Sequence, residues 1–216
     1  MIYQSIPKPI GNAVRLAEVA QVLVKHGFAA LVSRIGLSES IPARALRTLR
    51  LVDAPTGAPE TVGARLRASL TELGPTFVKY GQVLSTRPDL IGAELCAELG
   101  RLQDRVDAQP FDVMRPIIEG ELGGPIAERF AEFNEIAVAS ASLSQVYKAK
   151  LPSGQTVAVK VRRPNIRQVV DSDISLMTTV AEWIEQHVDD LNWLDATELI
   201  REFSRTIHRE MDFTIE

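Results

Sequence analysis

The chain is poor in the residues that build covalently or metal-held folds. One cysteine, Cys96, stands among 216 residues. That excludes an internal disulfide and any site held by several thiolates. Its helical setting predicts a small buried apolar residue. His26, His187 and His208 lie far apart in sequence and show no metal-ligand spacing. Positive charge is not in excess: 24 Lys and Arg against 28 Asp and Glu leave a formal net charge of −4. A nucleic-acid-binding surface is therefore not indicated. No stretch reaches the roughly 18 uninterrupted apolar residues of a membrane-spanning helix. The first twenty residues lack the apolar core and cleavage site of a secretory signal. A cytoplasmic location is expected, with a peripheral position at the inner face of the membrane as its variant.

What is present is ordinary for a soluble globular protein: 45% hydrophobic and 24% charged residues. The length allows one large or two small domains. Arg44, Arg47, Arg50, Arg65 and Arg67 make one segment locally basic, either a solvated helix face or a contact with anionic lipid.

The most informative stretch is residues 139–163. Two apolar-rich runs, 144–151 and 156–163, flank Pro152-Ser153-Gly154-Gln155. This is a turn sequence, because proline presets φ and glycine accepts positive φ. In the second run Val157, Val159 and Val161 point one way, and Ala158, Lys160 and Arg162 the other. Val157-Ala158-Val159-Lys160 closely matches the V-A-I-K strand of protein kinases, whose lysine reaches nucleotide phosphates. Where a kinase carries a glycine-rich loop, this chain has Ala139, Ser140, Ala141, Ser142, Leu143, Ser144, Gln145 and Val146. Small side chains still admit a phosphate to the backbone. Alanine does not enter positive φ cheaply, so the loop is expected to be stiffer, with the hydroxyls of Ser140, Ser142 and Ser144 as added donors. An exposed hairpin with a solvated edge lysine is the competing reading.

The rest of the chain reads as mostly helical. Residues 12–35 form a helix or a broken pair, with Gly27 as the interruption and Phe28, Leu31, Val32 and Ile35 on one face. That face either packs inward or lies on a membrane surface. A short helix is expected near 43–51, and 53–59, DAPTGAP, is the clearest linker. Val62, Leu66, Leu70 and Leu73 stripe a helix over 59–73, which Gly74-Pro75 ends. The next helix carries Lys79 and Gln82 on one face, with Gly81 between them. Leu95, Leu99, Leu102 and Val106 make a further stripe. Asp112 is the expected cap of a helix through Glu121. A turn over 126–130 leads into strand at Phe133. Residues 166–188 read as one long helix. From Leu194 to the end the pattern is helical again, with Ile200, Phe203, Ile207 and Met211 as its stripe and no stop signal.

Three sets of residues together resemble the UbiB/AarF atypical protein-kinase-like family. ASASLSQVYKA with VAVKVRRPNI is similar to that family's alanine-rich loop and lysine strand. LGPTFVKYGQVLSTRPDL, followed by ELGRLQD, is similar to its K-x-G-Q segment. EMDFTIE at the end is similar to its E-x-D signature with the kinase helix glutamate. The resemblance implies an α+β fold: a kinase-like N-lobe with a small antiparallel sheet, preceded by an α-helical extension. It implies that Lys160 positions phosphates of ATP or ADP, that Glu216 orients Lys160, and that residues 139–146 cover the nucleotide. It also implies that Lys79, Gly81, Gln82, Glu210 and Asp212 gate the site against protein substrates.

Three segments follow: 1–55, an N-terminal helical segment; 56–132, the helical extension; and 133–216, the N-lobe. The H-x-D loop and the D-F-G metal site are absent, so magnesium ligands are expected outside this chain. The chain is expected to be the first part of a longer protein and inactive alone. The function implied is that of an atypical kinase or ATPase supporting ubiquinone or related isoprenoid-lipid biosynthesis. The alternative is a non-catalytic module binding a lipid or protein partner. Self-association, or docking of a C-lobe, is expected to cover the exposed lobe surface.

Overall fold

In the computed structural model, residues 8–34, 61–103, 106–187 and 195–215 are described. They pack as two compact units, Met1–Leu102 with Val169–Glu216, and Gln103–Gln168. The helix expected near 43–51 and the linker at 53–59 lie outside the described residues, as do Arg44, Arg47 and Arg50.

The first unit is helical. Helix α1 (Lys8–Lys25) ends at Gly27, whose φ of +85° is the left-handed conformation that glycine adopts without a Cβ penalty. Helix α2 (Ala29–Arg34) follows, so the broken-pair reading is correct. Val32 is buried, while Leu31 is exposed. Helix α3 (Val62–Leu73) starts three residues later than the sequence pattern suggests. The reason is its cap: the Thr61 hydroxyl accepts the Ala64 N–H at 3.1 Å. Val62 is exposed, so the buried stripe is carried by Leu70 and Leu73. Gly74 separates α3 from helix α4 (Pro75–Leu84), with Pro75 in its first turn. Short helices α5 (Pro88–Ile91) and α6 (Ala93–Leu99) follow. Leu99 and Leu102 are buried, but Val106 is exposed: the helix stops at Leu99 and the stripe does not continue. Cys96 is half-buried, its thiol directed at the Leu84 carbonyl oxygen at 3.6 Å.

The second unit holds helices α7 (Phe111–Leu122) and α8 (Ile126–Arg129) and strands β1 (Glu132–Phe133), β2 (Ala139–Ser140), β3 (Ser144–Lys150) and β4 (Thr156–Arg162). The N-cap of α7 is Pro110, and the expected cap Asp112 lies inside the first turn. Strand β3 is the centre of an antiparallel sheet. Strand β4 pairs along its whole length, from Ser144↔Arg162 to Lys150↔Thr156. Strand β1 pairs with Ala149 and Lys150, and β2 with Gln145 and Val146. The β3–β4 turn places Gly154 at φ +89°, as its turn sequence requires. One sheet face carries Tyr147 and Val161 into a core with Met114, Ile118 and Ile126. Phe111, Phe130, Phe133 and Tyr147 stack there with ring centroids 5.5–5.7 Å apart.

Helix α9 (Ile166–His187) starts after Asn165, a non-glycine residue at φ 56°. Val180, Trp183 and Ile184 of α9 pack against Ala20 and Val32. Helix α10 (Ala196–Met211) is capped by Asp195, whose carboxylate accepts the Glu198 N–H at 2.8 Å. All four stripe residues, Ile200, Phe203, Ile207 and Met211, are buried. The helix ends at Met211, although the periodicity predicts continuation. The Asp212 carboxylate accepts both the N–H and the hydroxyl of Thr214, at 3.0 and 2.6 Å. Such a local side-chain bond competes with helical pairing and closes the helix.

Candidate functional site

Helix α4 presents Lys79 to Glu210, and Gly81 and Gln82 to Leu102. The Lys79 ammonium meets the Glu210 carboxylate of α10 at 2.5 Å. These residues are 131 positions apart in sequence, and folding brings the K-x-G-Q and E-x-D segments together. Gln82 donates through Nε2 to the Leu102 carbonyl at 3.4 Å. Gly81 explains why that carbonyl can come so near. A Cβ at position 81 would stand 2.4 Å from Leu102 Cδ1 and 2.7 Å from Leu70 Cδ1. The space that glycine leaves is filled by two leucine side chains. Gly81 and Gln82 thus both serve Leu102, the leucine of the L-Q-D sequence. The aspartate of that sequence, Asp104, lies outside the described residues.

Tyr80, between Lys79 and Gly81, turns to the core. Its ring meets Phe203 edge-on at 5.1 Å, and burial pushes its phenol up to about 12. Asp212, expected beside Glu210 in the polar cluster, caps α10 and is exposed. Glu216 lies outside the described residues, and with it the expected Lys160–Glu216 pair.

The alanine-rich stretch is a β-hairpin and not an open loop. Ala139 pairs with Val146 and Ser140 with Gln145, and the Ala141 N–H donates to Ser144 O at 2.8 Å. Ser142, Leu143, Ser144 and Gln145 are buried. The Ser140 hydroxyl accepts a bond from Arg163 at 2.7 Å. The serine hydroxyls that the sequence offers as outward donors are therefore turned inward or engaged within the protein. Lys160 comes from the middle of β4. It is exposed, because it shares the sheet face opposite the packed valines. Directly paired residues on antiparallel strands point to the same side. Val146 and Lys160 are such a pair, and Ala139 pairs with Val146 in turn. The same face carries Lys148 and Lys150 on β3 and Arg162 on β4. Lys150 is paired with Glu132 at 3.1 Å. The face is thus rich in cations of the kind that hold phosphate.

The residue that sequence reasoning passed over is Arg163. It is buried, and its guanidinium reaches four acceptors on two other segments. Its only signal in the sequence is its place directly after the lysine strand. Arg65 and Arg67 are not simply solvated: Arg65 lies over the Phe28 ring at 5.3 Å, and Arg67 is 3.5 Å from Glu98.

Among the described residues, no group of three or more His, Cys, Asp or Glu side chains is arranged to hold a metal ion. None of their helices is long and apolar enough to cross a membrane.

The profile of the family described as "ABC1 atypical kinase-like domain" matches residues 101–216. A protein of Marinobacter nauticus named "Probable protein kinase UbiB" is 46% identical over 154 residues, covering 71% of this chain and 28% of that protein. Proteins of the same name from Actinobacillus pleuropneumoniae and Aliivibrio fischeri are 39% identical over 212 and 206 residues. These matches cover 95% and 94% of this chain and 38% and 37% of the relatives. The chain therefore spans between about a quarter and two fifths of the length of the curated relatives it matches.

Proposed function

The chain belongs to the ABC1 atypical kinase-like family, of the UbiB/AarF type, and on that premise we propose that it carries the helical extension and the lysine-bearing sheet of an atypical kinase or ATPase that binds ATP or ADP. In this reading the Lys160 ammonium contacts nucleotide phosphates, and the hairpin at residues 139–146 covers them. Bound nucleotide supplies the phosphoryl group, and magnesium would be held by residues this chain does not contain. Glu216 orients Lys160. The Lys79 helix, with Gly81, Gln82, Glu210 and Asp212, biases access to the site. The pathway served is ubiquinone or related isoprenoid-lipid biosynthesis, with the membrane surface as the place of action.

The observation that carries the reading is the exposed Lys160 on a cationic sheet face next to the alanine-rich hairpin, within the segment that the family profile matches. A lysine in that setting offers phosphate a point charge with three donors. The test uses the product of the whole coding frame in which this chain is encoded. Saturating magnesium-ADP or magnesium-ATP is expected to raise its melting temperature, since ligand at 100 times Kd adds about 2.7 kcal/mol. The rise is expected to vanish in Lys160→Ala. No nucleotide-dependent rise, or one that survives Lys160→Ala, overturns the reading. For residues 1–216 alone the same assay is expected to show little or no effect.

A further inference from the structure

A turn without glycine does not choose its shape freely, so something must impose it. At residues 140–143 that residue is Arg163, which lies outside the turn. Its backbone N–H donates to Leu143 O at 3.0 Å. Its Nε donates to Ala141 O at 2.8 Å, and its Nη2 to Ser140 Oγ at 2.7 Å. The same nitrogen donates to Asp107 O at 3.0 Å and Val106 O at 3.4 Å. Gln145 works beside it: Oε1 accepts the Gln109 N–H at 2.6 Å, and Nε2 donates to Tyr147 Oη at 2.8 Å. Val106 N–H donates to Ser140 O at 3.4 Å. Residues 106–109 and 140–143, both in the sheet unit, are tied together through two buried side chains.

The chemistry of this arrangement is directional. Phosphate needs donors, and a carbonyl facing it repels it. Three acceptors of the turn, Ala141 O, Leu143 O and Ser140 Oγ, are occupied by one residue. Ala141 O and Ser140 Oγ are turned toward the buried guanidinium and Leu143 O toward the Arg163 backbone, so these three acceptors are already engaged.

We propose that Arg163 is a positioning residue: it sets the shape in which the alanine-rich turn meets phosphate and keeps the turn's acceptors away from it. The inference rests on the nucleotide reading of residues 139–146. It also places residues 106–109 in the support of that turn. Lysine cannot replace the arginine, because a single ammonium does not reproduce the planar fork that spans Ala141, Ser140 and Asp107.

The test is amide hydrogen exchange on the ligand-free chain, wild type against Arg163→Lys, with circular dichroism to establish that the variant is folded. Exchange at Ala141, whose N–H donates to Ser144 O, is expected to rise about tenfold, the factor for losing one charge-assisted hydrogen bond, while the β3–β4 pairs keep their protection. Ser140→Ala, a smaller change, is expected to raise exchange at the same amide several-fold and keeps the test alive if Arg163→Lys does not fold. Unchanged exchange at Ala141 overturns the proposal. In the product of the whole coding frame, Arg163→Lys is expected to raise the KM for ATP about tenfold with kcat changed less than about twofold. Equal loss in kcat and kcat/KM overturns the positioning role. The two readings fail separately. Nucleotide stabilisation that depends on Lys160, with an Arg163→Lys turn as protected as wild type, sinks this inference and leaves the nucleotide reading standing. A loosened turn with no nucleotide binding sinks the nucleotide reading.

Discussion

At the scale of single residues, Gly81 is tightly constrained. Its neighbours Leu70 and Leu102 are both buried and would stand within 2.4–2.7 Å of a new Cβ. Two effects oppose each other in Gly81→Ala. Alanine gains about 1 kcal/mol of helix propensity over glycine. Forcing two packed leucines aside costs about 1–3 kcal/mol. Overpacking wins, and Gly81→Ala is expected to lower stability by roughly 1 kcal/mol net, measured as a lower urea midpoint with an unchanged slope. A higher midpoint would mean that the leucines move freely and that the glycine is not there for packing. Lys79 belongs to a different class. Its pair with Glu210 is partly exposed, the side chains 17% and 39% accessible, and such pairs contribute at most about 1 kcal/mol. Stability is therefore not the reason for a lysine at this position.

At the scale of elements, α4 and α10 are joined through Tyr80 and Phe203 as well as through the ion pair. Phe203 is almost wholly buried, and the edge-on contact at 5.1 Å shields the Tyr80 ring. Phe203→Ala is expected to cost about 3–5 kcal/mol. It should also move the Tyr80 ionisation from about 12 down toward the ordinary value of 10.0. Burial disfavours the phenolate, so the unfolded chain ionises first. The stabilisation is fully present below pH 10.0 and is lost as pH rises toward 12. Absorbance titration at the phenolate band checks both statements. If Phe203→Ala leaves the late-titrating tyrosine where it was, the α4–α10 contact is not what shields it.

At the scale of the molecule, the helical unit is assembled from pieces distant in sequence, 1–102 and 169–216. Arg15 of α1 shows what holds them. Its Nε meets the Asp173 carboxylate of α9 at 2.7 Å, and its Nη2 donates to Leu73 O at the end of α3, also at 2.7 Å. Burial works against the guanidinium, but the bonds to Asp173 and Glu18 outweigh it and hold its pKa above the ordinary arginine range. Asp173 is 1% exposed. Arg15→Met would strand that carboxylate inside the protein, at a cost of about 3–5 kcal/mol. Hydrogen exchange should show α1 and α9 losing protection together, because both lose one shared partner. Loss confined to α1 would show that the two segments are separate units of stability.

How much was legible without the fold follows from which information is local. The hairpin, the α3–α4 break at Gly74-Pro75 and the buried stripe of α10 are local patterns of turn chemistry and periodicity. Sequence alone determined them, together with the fold class and the family. The end of α10 was not legible, because the Asp212–Thr214 bond that closes the helix competes with a periodicity that runs on past it. Only the tertiary structure decided that Lys79 meets Glu210, that Leu102 fills the space at Gly81, that Arg15 pairs with Asp173, and that Arg163 holds the alanine-rich turn. Each of these joins residues far apart along the chain, and a side chain's partner across such a distance is set by how the elements pack and not by its neighbours in sequence.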